Sequence, residues 1–224
     1  MKFRCERDVL VDALGTAGRA ATSRAALPVL SGLRLQLSGD QLRITGSDLD
    51  LTITRSLSVA GAEDGVAVLP AKLAVDIVRA LEPGGVEVDT SGDRPSIRAG
   101  RSEFFLNAIP ADEYPNPHEP DGESVTLQSG HLADGLRQVV GAASSDESRP
   151  ILTGVLLAAE DGGLRLVSTD SYRLAYRDLP GTSLLEQGQQ VLVPSRSLQE
   201  LTRALGQDDD VTLAWLLERA AAAV

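Results

Sequence analysis

A long segment of the chain occurs twice, and this repeat restricts the possible folds more than any other feature of the sequence. Residues 10–48 match residues 132–170 at an offset of 122 without a gap, and 13 of the 39 positions are identical. The similarity continues between residues 70–81 and 194–205, where the offset is 124. One short loop insertion explains the change of offset. The chain therefore contains two copies of one module.

Each copy has the hydrophobic pattern of a module with both helices and strands. The first segment of each copy has apolar residues three or four positions apart, which is typical of an amphipathic helix. Alternating runs such as residues 33–37 and 164–167 predict strands, and the Gly- and Asp-rich stretches between such runs predict hairpin turns. A second helix is predicted next to Pro70 and Pro194, because proline is tolerated in the first turn of a helix. The sequence thus predicts an α+β fold.

The composition excludes several classes of protein. The chain has no apolar run of the ~20 residues that cross a bilayer, so no membrane partner is expected. Its N-terminus lacks the apolar segment of a signal peptide, and Cys5 is the only cysteine, which predicts a cytoplasmic protein without disulfides. His118 and His131 are distant from Cys5, and neither a GxxxxGK[ST] nor a GxGxxG motif occurs. No metal ion and no cofactor are therefore expected.

A proline-rich stretch separates the two copies. Residues 110–122 contain four prolines and no hydrophobic periodicity, which predicts a linker. The predicted modules are therefore residues 1–118 and residues 123–224. After residue 214, copy two lacks the last hairpin of copy one and ends in an alanine-rich segment from Trp215 with the composition of a helix. We therefore expect the second module to be incomplete at its C-terminus.

Five short motifs occur in one order along the chain: GSDLDL at 46–51, VLPAK at 68–72, ADEYP at 111–115, RPILTG at 149–154 and STDSYRLA at 168–175. Together they resemble the bacterial sliding clamp family, the β subunits of DNA polymerase III. The resemblance implies antiparallel sheets outside and paired helices inside a ring that encircles duplex DNA. In that family two chains of three modules each form the ring. A third module is absent from this sequence, so the resemblance does not imply ring formation by this chain.

A basic inner wall that contacts double-stranded DNA is the first site that the resemblance implies. The net charge of −11 opposes general attraction to nucleic acid, but it permits a local basic patch. Lys72 and Arg79 are seven residues apart and share one helix face, as do Arg196 and Arg203. The alternative interpretation is an ordinary solvated face with ion pairs to neighbouring carboxylates. The predicted DNA-binding residues are Arg24, Lys72, Arg79, Arg137, Arg149, Arg196 and Arg203.

A hydrophobic pocket for short apolar peptides is the second site that the resemblance implies. In the family, such peptides come from the polymerase and the clamp loader and insert between modules two and three. The alternative interpretation places Leu152 and Leu174 in the core and leaves Arg173 as a surface charge. Because the third module is absent from this sequence, we expect weak peptide binding. The module-two half of the pocket would consist of Leu152, Thr169, Ser171, Tyr172, Arg173 and Leu174.

The resemblance implies the function of a processivity factor, a non-catalytic subunit that holds the polymerase α subunit on DNA during replication. The alternative is a truncated clamp that cannot close a ring and acts as a partner-binding module or is inert. A hydrolase built on Ser47-Asp48 and Thr169-Asp170 is disfavoured, because no histidine occupies an equivalent position in the two copies. The recurrence of these pairs instead predicts turns in which the aspartate accepts hydrogen bonds from backbone N–H groups.

Overall fold

The computed structural model divides the chain into two compact units, Met1–Pro117 (unit 1) and His118–Val224 (unit 2). The predicted DNA-binding residue Arg24 and the predicted helical tail from Trp215 lie outside the residues that the structure describes. The described residues are 1–21, 27–92, 94–115, 124–160, 162–182, 185–205 and 210–214.

Unit 1 consists, in its described residues, of two antiparallel sheets and a pair of helices. Its elements are β1 (Lys2–Glu6), α1 (Arg7–Ala17), β2 (Gly32–Ser38), β3 (Gln41–Ser47), β4 (Thr52–Ser58), β5 (Ala60–Glu63), β6 (Gly65–Pro70), α2 (Ala71–Ala80), β7 (Gly85–Asp89), β8 (Ser96–Ala99) and β9 (Ser102–Phe105). A 3₁₀ turn at Pro28–Ser31 leads into β2. The strand orders are β5-β1-β7-β8-β9 and β4-β3-β2-β6.

The core of unit 1 receives side chains from both sheets and both helices. α1 buries Leu10, Ala13, Leu14 and Ala17, because their spacing places them on one side of the helix. This side faces the core, and α1 also packs against α2. Each fully buried leucine contributes about 1.5–3 kcal/mol through the hydrophobic effect. The solvent-facing side of the helix pair carries polar and charged residues together with the exposed Val9 and Leu73.

Unit 2 repeats most of this arrangement in its described residues. Its elements are β10 (Ser124–Gln128), α3 (Ser129–Val139), β11 (Gly154–Glu160), β12 (Gly163–Thr169), β13 (Leu174–Pro180), β14 (Gln190–Pro194), α4 (Ser195–Ala204) and β15 (Asp210–Ala214). Two 3₁₀ turns, Val140–Ala142 and Pro150–Thr153, lie between α3 and β11. One sheet has the order β13-β12-β11-β14, β10 pairs with β15, and α3 packs against α4.

The positions of these elements confirm the predicted repeat and the predicted α+β fold. α3 begins 122 residues after α1, and α4 begins 124 residues after α2. The copies also share an uncommon backbone conformation, since Leu49 and Ser171 both have a φ of 80°. Just before these residues, Asp48 and Asp170 each accept hydrogen bonds from the N–H groups two and three positions later. The prediction of two aspartate turns is therefore confirmed.

The predicted linker is wrong in its first part. The Ile109 N–H donates to the Val68 carbonyl at 3.0 Å, and the Tyr114 hydroxyl donates to the Thr45 carbonyl at 3.2 Å. Tyr114 is only 5% exposed. The segment up to residue 115 therefore packs on unit 1, because its apolar side chains fill a hollow beside the 3₁₀ turn. The rest of the predicted linker, residues 116–122, lies outside the described residues.

Candidate functional site

A groove of about 420 Å³ lies between α1 and α2 of unit 1 and gathers positive charge. Lys72 and Arg79 line it from α2, and Arg19 lines it from the end of α1. The wall contributed by α1 includes Gly15, whose missing side chain leaves the groove open. Asp76 also lines the groove, and its Oδ1 lies 3.9 Å from Arg79 Nη1. Three cations thus face one carboxylate, which suits the binding of an anionic ligand such as phosphate.

The corresponding helices of unit 2 carry arginines that are already paired with carboxylates. Arg137, in the last turn of α3, contacts Asp134, and Arg203, in the last turn of α4, contacts Glu200. Arg196 lies in the first turn of α4 and also has an interaction partner. Arg137 and Asp134 are both well exposed, so water screens their contact and a phosphate could replace the carboxylate at little cost. Glu200 is only 13% exposed, so loss of Arg203 would leave a mostly buried carboxylate without its cation.

Arg149 lies directly before the 3₁₀ turn that leads into β11. Its Nε donates to Asp146 Oδ2 at 2.9 Å, and its Nη2 donates to Ser144 Oγ at 3.3 Å. The hydroxyl and N–H of Ser148, followed by Arg149, hold the pKa of Asp146 below its usual range. Arg149 is therefore oriented by a charged partner. Among the described residues, only Lys72 and Arg79 of the predicted DNA-binding set are seen to line one groove.

The turn between β12 and β13 holds most of the predicted peptide-binding residues. Thr169 Oγ1 accepts the Ser171 N–H at 3.1 Å and donates to the Arg173 carbonyl at 2.7 Å. Asp170 Oδ1 accepts the N–H groups of Tyr172 and Arg173, each at 2.9 Å. These N–H groups, together with the Arg173 guanidinium, lower the pKa of Asp170. The turn is thus held at both ends by side-chain hydrogen bonds, which offset its strained φ.

This turn presents apolar side chains to solvent. Tyr172 is 95% exposed and Leu174 is 64% exposed, so the interpretation of Leu174 as a core residue is wrong. Leu152 lies in the 3₁₀ turn at Pro150–Thr153 and is half-buried. Exposed tyrosine and leucine side chains beside an arginine can anchor a short apolar peptide.

Three further exposed apolar residues of unit 2 were missed by the sequence reasoning. Comparison of the copies could have found only Tyr176, since it corresponds to Thr54 of β4. Within the described residues, no group of three His, Cys, Asp or Glu side chains could hold a metal ion, and no helix could span a membrane. The missed residues are Ile151, Tyr176 and Leu192.

The comparison with protein families identifies both units. Residues 1–118 match the N-terminal domain of the DNA polymerase III beta subunit, and residues 126–219 match its central domain. A beta sliding clamp of Streptomyces coelicolor is 36% identical over 221 residues, which cover 96% of this chain and 57% of that relative. One from Bacillus subtilis is 33% identical over 94% of this chain and 58% of that relative.

Solved sliding clamps share the fold at high similarity. A clamp structure from Bacillus subtilis superposes with a TM-score of 0.90 and 32% identity, covering 96% of this chain and 60% of that one. A clamp from Pseudomonas aeruginosa bound to griselimycin gives a TM-score of 0.89 and 30% identity, covering 96% and 59%. The fold is therefore a tandem repeat of the clamp module. The chain spans less than two thirds of the length of these relatives.

Proposed function

Because the chain belongs to the DNA polymerase III beta subunit family, we propose that it serves as a sliding clamp chain, which holds a replicative polymerase on duplex DNA. We assign the two clamp modules to residues 1–118 and 123–224. The observation that carries the proposal is the groove between α1 and α2, where Lys72, Arg79 and Arg19 collect positive charge on a chain of net charge −11. The clamp acts by binding alone and performs no catalysis.

The groove of unit 1 supports sequence-independent contact with DNA. Lysine and arginine bind phosphate oxygens, which are the same at every base pair, so the protein can move along the duplex. In unit 2, further phosphate contacts would come from Arg137, Arg149 and Arg203, which would exchange their carboxylate partners for phosphate, and from Arg196. Arg24 is proposed for the same role from its place in the sequence alone. The proposed setting is the cytoplasm, which the single cysteine favours.

The turn of unit 2 supports binding of a peptide from the polymerase or the clamp loader. Tyr172 and Leu174 offer exposed apolar surface, and the half-buried Leu152 would form the floor. The Arg173 side chain is 65% exposed and its Nε lies 3.0 Å from Asp170 Oδ2, so the guanidinium can also donate hydrogen bonds to a peptide carboxylate. A fluorescein-labelled peptide with a Leu or Phe anchor should bind in a titration, and Tyr172→Ala should weaken it. Equal affinity of both proteins would contradict this assignment.

A second candidate function is the binding of clamp partners without encirclement of DNA. The exposure of Tyr172 and Leu174 favours it, because these side chains are available in unit 2 alone. Retention on DNA separates the two candidates. The chain is loaded, with clamp loader and ATP, on nicked circular DNA, and the retained fraction is measured before and after the circle is cut. A closed clamp slides off the cut DNA, whereas retention that is equal on both forms, or absent, contradicts the sliding clamp and leaves the peptide titration to test the second function.

A further inference from the structure

Three ion pairs with the same spacing lie on α2, α3 and α4, and in each an arginine of the last turn contacts a carboxylate three positions earlier. The pairs are Asp76–Arg79, Asp134–Arg137 and Glu200–Arg203. The three arginine side chains are similarly exposed, but the carboxylates differ. The two aspartate side chains are 54% and 61% exposed, whereas the Glu200 side chain is 13% exposed. Glu200 is therefore the mostly buried acid of the three.

The carboxylate of Glu200 makes incomplete use of its two oxygens. Its Oε1 accepts a hydrogen bond from Arg203 Nη1, and its Oε2 is buried without a hydrogen-bond partner among the described residues. A buried carboxylate that loses a charged partner is destabilised strongly, because water cannot replace that partner. Removal of Arg203 from Glu200 is therefore more costly than separation of an exposed pair.

The burial of Glu200 follows from a difference between the two copies. Its counterpart Asp76 lines the open groove of unit 1, together with Gly15 and Gly18. The repeat offset of 122 places Arg137 and the buried Val140 at the positions of these two glycines. Since α3 packs against α4, the larger side chains leave less room for water beside the acid of α4. Glutamate is also longer than aspartate and reaches further from its helix.

We propose that Glu200 is a positioning residue that restrains Arg203 and thereby weakens the contact of α4 with DNA. This inference rests on the proposed function and adds a control on one of its phosphate contacts. A phosphate that takes Arg203 from Glu200 leaves a mostly buried carboxylate without its cation, and this cost reduces the affinity for DNA. After the same exchange at Arg137, water solvates the exposed Asp134, so the cost is smaller.

A restrained arginine suits a protein that moves along the duplex. Contacts with phosphates must break and form again at each step, so a weaker contact is broken more easily. The available cations of unit 1, Lys72 and Arg79, would hold the duplex more firmly than Arg203 of unit 2.

The test is Glu200→Gln in the full chain, with affinity for a labelled duplex measured by fluorescence anisotropy at about 50 to 200 mM salt. Glutamine keeps the size of the side chain and removes the mostly buried charge, so the variant should fold. Release of Arg203 should steepen the slope of log affinity against log salt concentration by about 0.9. With equal affinities of variant and original chain at 1 M salt, the variant should bind about eightfold more tightly at 0.1 M salt. The gain should be absent from Glu200→Gln/Arg203→Ala, which has the net charge of the original chain.

The matched control is Asp134→Asn, which removes the same charge from an exposed acid with the same spacing to its arginine. It should change the affinity by less than about twofold, because Arg137 already exchanges its partner easily. Equal gains in Glu200→Gln and Asp134→Asn would overturn the proposal, since net charge alone would then explain both. A purely structural role of Glu200 would change stability and leave the salt slope unchanged, and that result would also overturn it.

Urea unfolding tests the unequal pairs without DNA. Arg203→Ala should lower the unfolding midpoint more than Arg137→Ala does, because only the first substitution leaves a mostly buried carboxylate without its cation. Equal midpoints of these two variants would contradict the restraint.

Lys72→Ala/Arg79→Ala separates failure of this inference from failure of the proposed function. If this variant weakens DNA binding while Glu200→Gln has no effect, the proposed contact with DNA stands and the restraint on Arg203 is refuted. If neither variant changes the salt dependence of binding, the proposed contact with DNA is itself contradicted, and the inference fails with it.

Discussion

Removal of the two α2 cations, Lys72 and Arg79, should reduce the salt dependence of duplex DNA binding. Each protein–phosphate contact contributes about 0.9 to the slope of log affinity against log salt concentration. The double variant Lys72→Ala/Arg79→Ala should therefore lower that slope by about 1.8. With equal affinities of variant and original chain at 1 M salt, the variant should bind about 60-fold more weakly at 0.1 M salt. Asp76 lies 3.9 Å from Arg79 and competes with phosphate for it. Lys72→Ala alone should therefore cost more affinity than Arg79→Ala alone.

The measurement is fluorescence anisotropy of a labelled duplex titrated with protein, repeated at salt concentrations from about 50 to 200 mM. A matched control removes two positive charges from the first sheet of unit 1 instead. Lys2 Nζ lies 3.0 Å from Glu87 Oε1, and Arg98 Nη2 lies 2.7 Å from Glu103 Oε1. Lys2→Ala/Arg98→Ala therefore changes the net charge of the chain by the same amount without touching the groove.

Two results would refute the reasoning. A groove variant with the same salt slope as the original chain would mean that Lys72 and Arg79 release no counterions from DNA. Equal losses in the groove variant and in the control variant would mean that only the net charge matters, because long-range attraction depends on total charge rather than on position. Circular dichroism of each variant establishes that the fold is retained before affinities are compared.

Three further predictions concern stability and are measured by urea unfolding. Burial raises the pKa of Tyr114 to about 12, whereas in the unfolded chain the hydroxyl loses its proton near pH 10. The free energy of unfolding should therefore fall between pH 10 and 12, and it should fall less in Tyr114→Phe. Gly46→Ala should cost about 1–3 kcal/mol, because its Cβ would lie 2.1 Å from the Ala17 carbonyl oxygen, whereas Gly15→Ala in open space on α1 should gain about 0.5–1 kcal/mol. The pKa of Asp170 is lowered in the fold, so this residue stabilises unit 2 above its unfolded pKa near 3.8 and stabilises it less as the pH falls further. Asp170→Ala should therefore lower the free energy of unfolding at pH 7. The stability of this variant should also fall less on acidification than that of the original chain.

The order of the elements was predictable because the sequence describes it twice. A run such as residues 33–37 is ambiguous alone, but its counterpart at residues 155–159 is also rich in apolar residues and lies between similar Gly-containing turns. Chance patterns are seldom repeated at a fixed offset, so agreement between the copies separates strands from incidental apolar runs. The aspartate turns at Asp48 and Asp170 were predictable for the same reason.

The packing of Ile109 and Tyr114 on unit 1 was not predictable from the local pattern. Prolines and acidic residues in this segment are typical of a linker, and Tyr114 is its only aromatic residue. Its burial depends on a hollow that exists only after the 3₁₀ turn and β6 have come together. The exposure of Leu174 has the same kind of cause: it lies on β13, at the edge of its sheet and on the side turned away from the core. Contacts of high sequence separation decide both cases.

Equivalent positions of the two copies show which packing requirements the fold imposes. The end of the first helix shows how one backbone arrangement accepts different side chains: Gly46 approaches the Ala17 carbonyl too closely for a Cβ, whereas at the equivalent place Ser168 donates its hydroxyl to the Val139 carbonyl. The glycine of unit 1 and the serine of unit 2 thus allow the same close approach of strand and helix in two ways. The exchange of Thr54 for Tyr176 leaves the tyrosine exposed, with the Arg165 guanidinium 5.8 Å from the centroid of its ring. Tyr176 thus adds a contact on the outer face of its sheet and leaves the core unchanged.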